Sequence, residues 1–197
     1  MTAGVKRRMY MEKLTNFSAA ICDELKKTVE QIDENQARAF FELIQKKRSR
    51  AIFILGAGRC QYVLRAFCMR LMHLEFGAYM VGDTTTPAIN QGDLLIVADG
   101  AGYLTTIAET VRLAKSHGAE IAMLTILPDS LIGSMADSHV VIPGRTAAHG
   151  GVGTSIQPGG GRFEQSLLIF LDTIIAALVE DMGLPWDAPF QRHSNLE

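Results

Sequence analysis

The sequence predicts an α/β protein: a three-layer sandwich whose five-stranded, mostly parallel sheet is flanked by helices on both faces, with further helices at the N-terminus. Three observations predict it. The first fifty residues carry helix-spaced apolar positions. The period then changes to short apolar runs of strand length, separated by amphipathic stretches. Two of those runs end in glycine-rich turns that lead into the next helix, which implies crossover connections and parallel pairing.

Taken in order, Leu14, Phe17, Ile21, Leu25 and Val29 mark a first helix, and Ala37, Phe40, Phe41 and Ile44 a second, with Asp33 as its N-cap. Ala51 to Leu55 reads as a buried strand that turns at Gly56-Ala57-Gly58. A helix follows from about Gln61 to Glu75, with Val63, Phe67, Leu71 and Leu74 on one face. Tyr79 to Val81 and Leu94 to Ala98 are the second and third strands. The next helix turns Ile107, Val111 and Ala114 inward and Glu109, Arg112 and Lys115 outward. Ile121 to Ile126 is a fourth strand, and Val140 to Ile142 a fifth, after a short helix begun near Asp129 or Ser130. Gly144 to Gly161 has too little apolar content to pack and reads as a long surface loop. A strongly apolar helix from about Phe163 to Met182 is stopped by Gly183 and Pro185. Its apolar residues nearly surround it, which predicts burial on several sides, partly by another subunit. The tail beyond it holds Trp186, Phe190, Arg192 and His193, an unusual set for a disordered end.

At 197 residues the chain has the size of one domain with a full core. A content of 48% hydrophobic and 20% charged residues predicts folding rather than disorder. A net charge of -2 lacks the basic excess of a nucleic-acid binder, and the cluster Lys46, Lys47, Arg48 and Arg50 reads as a solvated helix end. Three cysteines, Cys22, Cys60 and Cys68, do not make a disulfide framework. Met1 to Tyr10 is basic with no apolar run after it, so no secretion signal is expected. The longest apolar stretch, Leu167 to Val179, is short for a bilayer and carries Asp172. A soluble, cytoplasmic protein without a nucleic-acid or membrane partner is expected.

In open parallel sheets ligands bind at the carboxyl ends of the strands. Those ends are Gly56 to Cys60, Gly82 to Thr86, and Asp99 to Tyr103. Gly56-Ala57-Gly58-Arg59-Cys60-Gln61 reads either as a tight strand-to-helix turn or as an anion site, where glycines admit a ligand and helix amides favour negative charge. Arg59 adds a guanidinium able to grip phosphate with two hydrogen bonds. Gln61 stands where a dinucleotide fingerprint needs its third glycine. Cys60, at a helix N-terminus beside Arg59, is either a thiol of lowered pKa or, as lone cysteines more often are, a packed small residue. Asp83-Thr84-Thr85-Thr86-Pro87 is either an ordinary turn or a row of hydroxyls lining an oxygen-rich ligand, with Asp83 open to a ribose hydroxyl.

Several stretches resemble one family: Gly56-Ala57-Gly58-Arg59, Met69 to Leu74, Val81 to Ile89, Gly92 to Ile96, Pro128-Asp129-Ser130, Ser155 to Pro158, Phe163-Glu164-Gln165 and the ending His193 to Glu197. These are similar to the 6-phospho-3-hexuloisomerases of the SIS (sugar isomerase) family, over nearly the whole chain from about Arg50. The resemblance implies interconversion of a 3-keto and a 2-keto hexose 6-phosphate through an enediolate, with no metal and no cofactor, in a homo-oligomer, tetramer or dimer. It implies that Gly58, Arg59, Cys60, Thr84, Thr85, Thr86 and the loop Asp99, Gly100, Ala101, Gly102 and Thr105 bind the sugar phosphate. Glu164 would be the base, and His193, from a neighbouring subunit's tail, would help open the ring or move a hydroxyl proton. Read without the family, Glu164 is a first-turn glutamate favoured by the helix dipole and His193 a solvated tail residue. The chain is then one SIS domain over 1–197, with an N-terminal helical segment 1–49, an α/β core 50–183 and a tail 184–197.

The sequence departs from the family at its phosphate loop. The usual Ser-Gly-Ser-Gly-Glu-Thr is replaced by Asp99-Gly100-Ala101-Gly102-Tyr103-Leu104, and Cys60 and Gln61 replace a serine and a glycine. Asp99 is expected to set a negative charge where a phosphate would sit, at about 4 kcal/mol per unit of repulsion for charges about 4 Å apart at an effective dielectric of about 20, unless Arg59 offsets it or Asp99 points away. The alternatives to a hexulose-phosphate isomerase are an isomerase of another sugar derivative and a non-catalytic phosphosugar sensor.

Overall fold

The computed structural model describes residues 3–146, 150–151 and 154–196. Glu197 of the family-like ending lies outside the described residues, as do 147–149 and 152–153 of the glycine-rich loop. Helices α1 (Ala3–Val29) and α2 (Glu34–Lys46) come first. Asp33 caps α2, its carboxylate accepting the Asn35 and Gln36 amides at 2.9 Å, which satisfies two of the helix's orphan donors. The apolar stripe expected on α1 is buried only toward its end: Leu25 is inside, whereas Leu14 and Phe17 are exposed.

Five strands follow, β1 (Ala51–Gly56), β2 (Gly77–Met80), β3 (Leu94–Ala98), β4 (Glu120–Thr125) and β5 (Ser138–Val141). They form one parallel sheet in the order β2-β1-β3-β4-β5. Helix α3 (Gly58–His73) links β1 to β2, α4 (Thr105–Ser116) links β3 to β4, and α5 (Gly161–Asp181) returns after β5. Side chains alternate across the strands. Ile52, Ile54, Leu94 and Ile96 meet α2, α3 and α5 on one face, and Phe53, Leu95, Val97, Ile121 and Met123 meet α4 on the other. The inward face predicted for α4 is correct, since Ile107, Val111 and Ala114 are all buried.

Three local readings need correction. β2 and β5 each begin two residues earlier than their apolar runs, because parallel pairing with β1 and β4 extends over Gly77 and Ser138. The helix expected near Asp129 is only a 3-10 turn, Gly133–Met135; the Pro128 carbonyl lies 1.9 Å from where a Cβ on Gly133 would stand, so the chain doubles back too tightly for an α-helix. The glycine-rich loop is not wholly irregular, for β6 (Arg145–Thr146) pairs antiparallel with β7 (Gly150–Gly151). No helix among the described residues is long and apolar enough to cross a membrane.

Candidate active site

The register aligns the carboxyl ends of the central strands: Gly56 pairs with Ala98, and Ala98 with Leu124. From this edge leave the start of α3, the loop Asp99 to Leu104, and the segment after β2. The first turn of α5 packs onto the β3 loop, since a Cβ added at Gly100 would meet the Phe163 ring at 3.2 Å. Glu164 follows directly. Its amide donates to the Gly160 carbonyl at 3.0 Å, and its side chain is 14% exposed.

The structure joins two residues that lie 105 positions apart: Arg59 donates through Nε to Glu164 Oε2. Arg59, 66% exposed at its side chain, forms the solvent side of the pair. Beside it Gly58 has φ +54° and open space where a side chain would project. That backbone state costs an L-residue about 1–2 kcal/mol and suits glycine. No side chain caps the N-terminus of α3.

Cys60 is buried under this pair. Burial pushes its thiol up to about 12, and the nearby Glu164 and Asp99 carboxylates push in the same direction, against the Gly100 and Cys60 amides. The neutral thiol that results at pH 7 fits a packed residue; the lowered pKa weighed as an alternative is the reverse of what the structure gives.

Asp99 also differs from expectation. It is 7% exposed, and its carboxylate turns back onto its own loop, accepting the amides of Ala101 at 3.1 Å and Leu104 at 3.3 Å. Its carbonyl accepts the Thr125 hydroxyl at 2.8 Å. The charge therefore does not project freely into the ligand's space, and the amides that a phosphate would use are already bonded. Gly102 makes the turn possible: its φ is +72°, and a Cβ there would fall 1.9 Å from Ser130 Oγ. Thr105 opens α4 and is exposed.

Thr84 and Thr85 are exposed on the segment beyond β2. Thr86 turns its hydroxyl onto the Met80 carbonyl. Asp83 is held by Arg65 of α3 through two hydrogen bonds, 2.6 and 3.1 Å, so it braces the threonine segment instead of meeting a ribose. His193 is not at this end of its own chain. Its ring lies 5.6 Å from that of His73, at the far end of α3; at 1.5 Å per residue, position 73 is about 21 Å along the helix from Arg59.

Sequence reasoning missed the supports of Glu164. The Glu24 carboxylate of α1 accepts Ser155 Oγ at 3.0 Å, the Ile156 amide at 3.2 Å and Gln157 Nε2 at 2.9 Å. Gln165 Nε2 donates to Gln157 Oε1, and Arg162 Nε to Thr28 Oγ1 at 2.7 Å. Together these tie the chain entering α5 to α1. Nothing in the spacing of Glu24 within a helix pointed to residues some 130 positions later.

An exposed arginine paired with a shielded carboxylate, at the carboxyl edge of an open parallel sheet, has the chemistry to meet a small, oxygen-rich, anionic ligand. The chain belongs to the SIS domain family, whose profile matches residues 42–157. It is 39% identical to the 3-hexulose-6-phosphate isomerase of Bacillus subtilis over 187 residues, 94% of this chain and 100% of that one. It is 36% identical to the enzyme of the same name from Mycobacterium gastri, covering 94% and 92%. Among solved structures, a Methanococcus jannaschii protein, for which a 3-hexulose-6-phosphate isomerase function was inferred, aligns with TM-score 0.76 and 33% identity over 94% of this chain and 99% of that one.

Proposed function

We propose that this protein interconverts a 3-keto and a 2-keto hexose 6-phosphate, with Glu164 as the base. The observation that carries the reading is the Arg59–Glu164 pair at the carboxyl edge, in a chain 39% identical to a 3-hexulose-6-phosphate isomerase over nearly its whole length. Glu164 takes the proton from the carbon that bears the hydroxyl beside the carbonyl. The C–H bond breaks, an O–H bond forms on the carboxyl, and the electron pair remains as an enediolate. The hydroxyl proton passes to the former carbonyl oxygen, and return of the carbon-bound proton to the neighbouring carbon completes the shift, with no net oxidation. Mostly shielded from water, the carboxylate keeps the proton close between the two steps. Gly58, Arg59 and Cys60 form the phosphate side, Thr84 and Thr85 offer hydroxyls to the sugar, and the loop from Asp99 to Gly102 with Thr105 shapes the floor.

The same reading makes the chain one SIS domain over 1–197 that works as a homo-oligomer, with the tail 184–197 reaching a neighbour's site. The separation of His193 from Arg59 along α3 supports this, because the tail cannot serve the site of its own chain from that place. Three unpaired cysteines support a cytoplasmic location.

The test is direct. Supplied with a 3-keto hexose 6-phosphate, the protein should form the 2-keto isomer, followed by NMR. Glu164→Gln should lower the rate by about 10²–10⁴-fold while melting and circular dichroism stay near wild type. An unchanged rate in that variant would remove Glu164 as the base.

A further inference from the structure

We propose that the substrate's phosphate switches the base on: Arg59 covers Glu164 in the empty site, and a phosphate dianion draws Arg59 away and uncovers the carboxylate. This rests on the reading of Glu164 as the base and adds a second role for the phosphate beyond binding.

The first observation is the contact itself. Arg59 Nε sits on Glu164 Oε2, one of the two oxygens able to receive the carbon-bound proton. A carboxylate oxygen that accepts a charge-assisted hydrogen bond has a lone pair engaged and is sterically covered. The second is the asymmetry of the pair. Arg59 is 66% exposed and Glu164 14%, so the arginine is the mobile partner and the carboxylate the fixed one. Gln165, the next residue of α5, is anchored through Gln157 to Glu24, which holds Glu164 in place when Arg59 leaves.

The third observation concerns the alternatives for the phosphate. In the β3 loop, the Ala101 and Leu104 amides already donate to Asp99. A phosphate finds those donors occupied and a carboxylate behind them. The opening over Gly58, with the uncapped start of α3, lies beside Arg59 instead. A dianion there attracts the guanidinium more strongly than a single carboxylate does and offers it two oxygens. The guanidinium end of the pair is open to solvent, so a phosphate can reach it directly. Binding of the remote phosphate is thereby converted into activation of the group that does the chemistry.

The experiment separates the two roles by supplying them in two pieces. The substrate is the unphosphorylated 3-keto hexose, and the second piece is inorganic phosphate. Exchange of the sugar's carbon-bound proton is followed by NMR in deuterated water, with potassium chloride at matched ionic strength as the control. In wild type, phosphate should accelerate exchange about tenfold or more, an expression of remote binding energy, and potassium chloride should not. Arg59→Ala should raise exchange without phosphate, because the base is already uncovered, and should abolish the acceleration. If Arg59→Ala lowers the phosphate-free rate, or if the acceleration survives in it, the switch is wrong. If wild type turns over the phosphosugar and Glu164→Gln does not, yet phosphate gives no acceleration, the base stands and the switch alone fails. If Glu164→Gln exchanges as wild type does, the parent reading fails instead.

Discussion

Asp99 accepts the Leu104 amide at 3.3 Å through one carboxylate oxygen, and so closes its loop from within. The bond caps the start of α4, where Leu104 itself has no side chain able to do so. An acid in this place gives the helix the anion it favours and at the same time fills the seat of a ligand's anion.

Replacing Asp99 by serine should therefore have two opposite effects. Loss of the two amide bonds should cost about 1–2 kcal/mol of stability, seen as a lower melting temperature in the absence of ligand. Binding of a hexose 6-phosphate should tighten by about tenfold or more, because the amides of Ala101 and Leu104 become available and one like charge is removed. Calorimetric titration against the phosphosugar and against inorganic phosphate would measure this. Affinity equal to wild type would show that the phosphate never approaches this loop.

The parts of the molecule that could be read from the sequence are those set by local pattern. The period switch at Ala51 marks a strand because a run of apolar residues ending at Gly56 can be buried on both faces only in a parallel sheet. Asp33 declares its helix because capping is a matter of two or three neighbouring residues. The pairing of Arg59 with Glu164 is not local, and only the resemblance put both residues in one site. The direction in which the Asp99 carboxylate points stays open in the sequence for a related reason. Sequence gives the charge, but whether it meets the ligand or its own loop depends on the left-handed turn at Gly102 and on Ser130 behind it. The half-exposed stripe of α1 shows the same limit, since helical spacing marks an apolar face without saying what covers it.

The far end of α3 should respond to pH. His73 is buried, with no hydrogen-bond partner for Nδ1. Burial lowers its pKa, and Arg70 on its own helix, with His193 and Arg192 on the tail, lowers it further. A histidine whose folded pKa is depressed keeps its full contribution to stability above the unfolded value, about 6.5. The contribution is lost as pH falls toward the folded value, because the unfolded chain binds the proton first. Arg192 also pairs with Glu75 at 2.9 Å, so protonation of His73 loosens the tail where it is fixed. Melting temperature should fall between about pH 7 and pH 5.5, and His73→Gln should flatten that part of the curve. Equal slopes in the two proteins would assign the pH response elsewhere.

The proposed sharing of a site between subunits makes a prediction about mixtures. His193 stands near His73 on its own chain, well away from Arg59; if it acts, it acts on a partner's substrate. Glu164→Gln and His193→Ala should each be impaired alone. Unfolded together and refolded, they should recover activity, because a site combining Glu164 from one variant with His193 from the other is intact. Random pairing about a two-fold axis leaves about a quarter of the sites in this state, so activity near that fraction of wild type is expected. Recovery should track the appearance of mixed oligomers, read by native mass spectrometry. Mixed oligomers without recovery would place His193 outside the reaction or return it to its own chain's site.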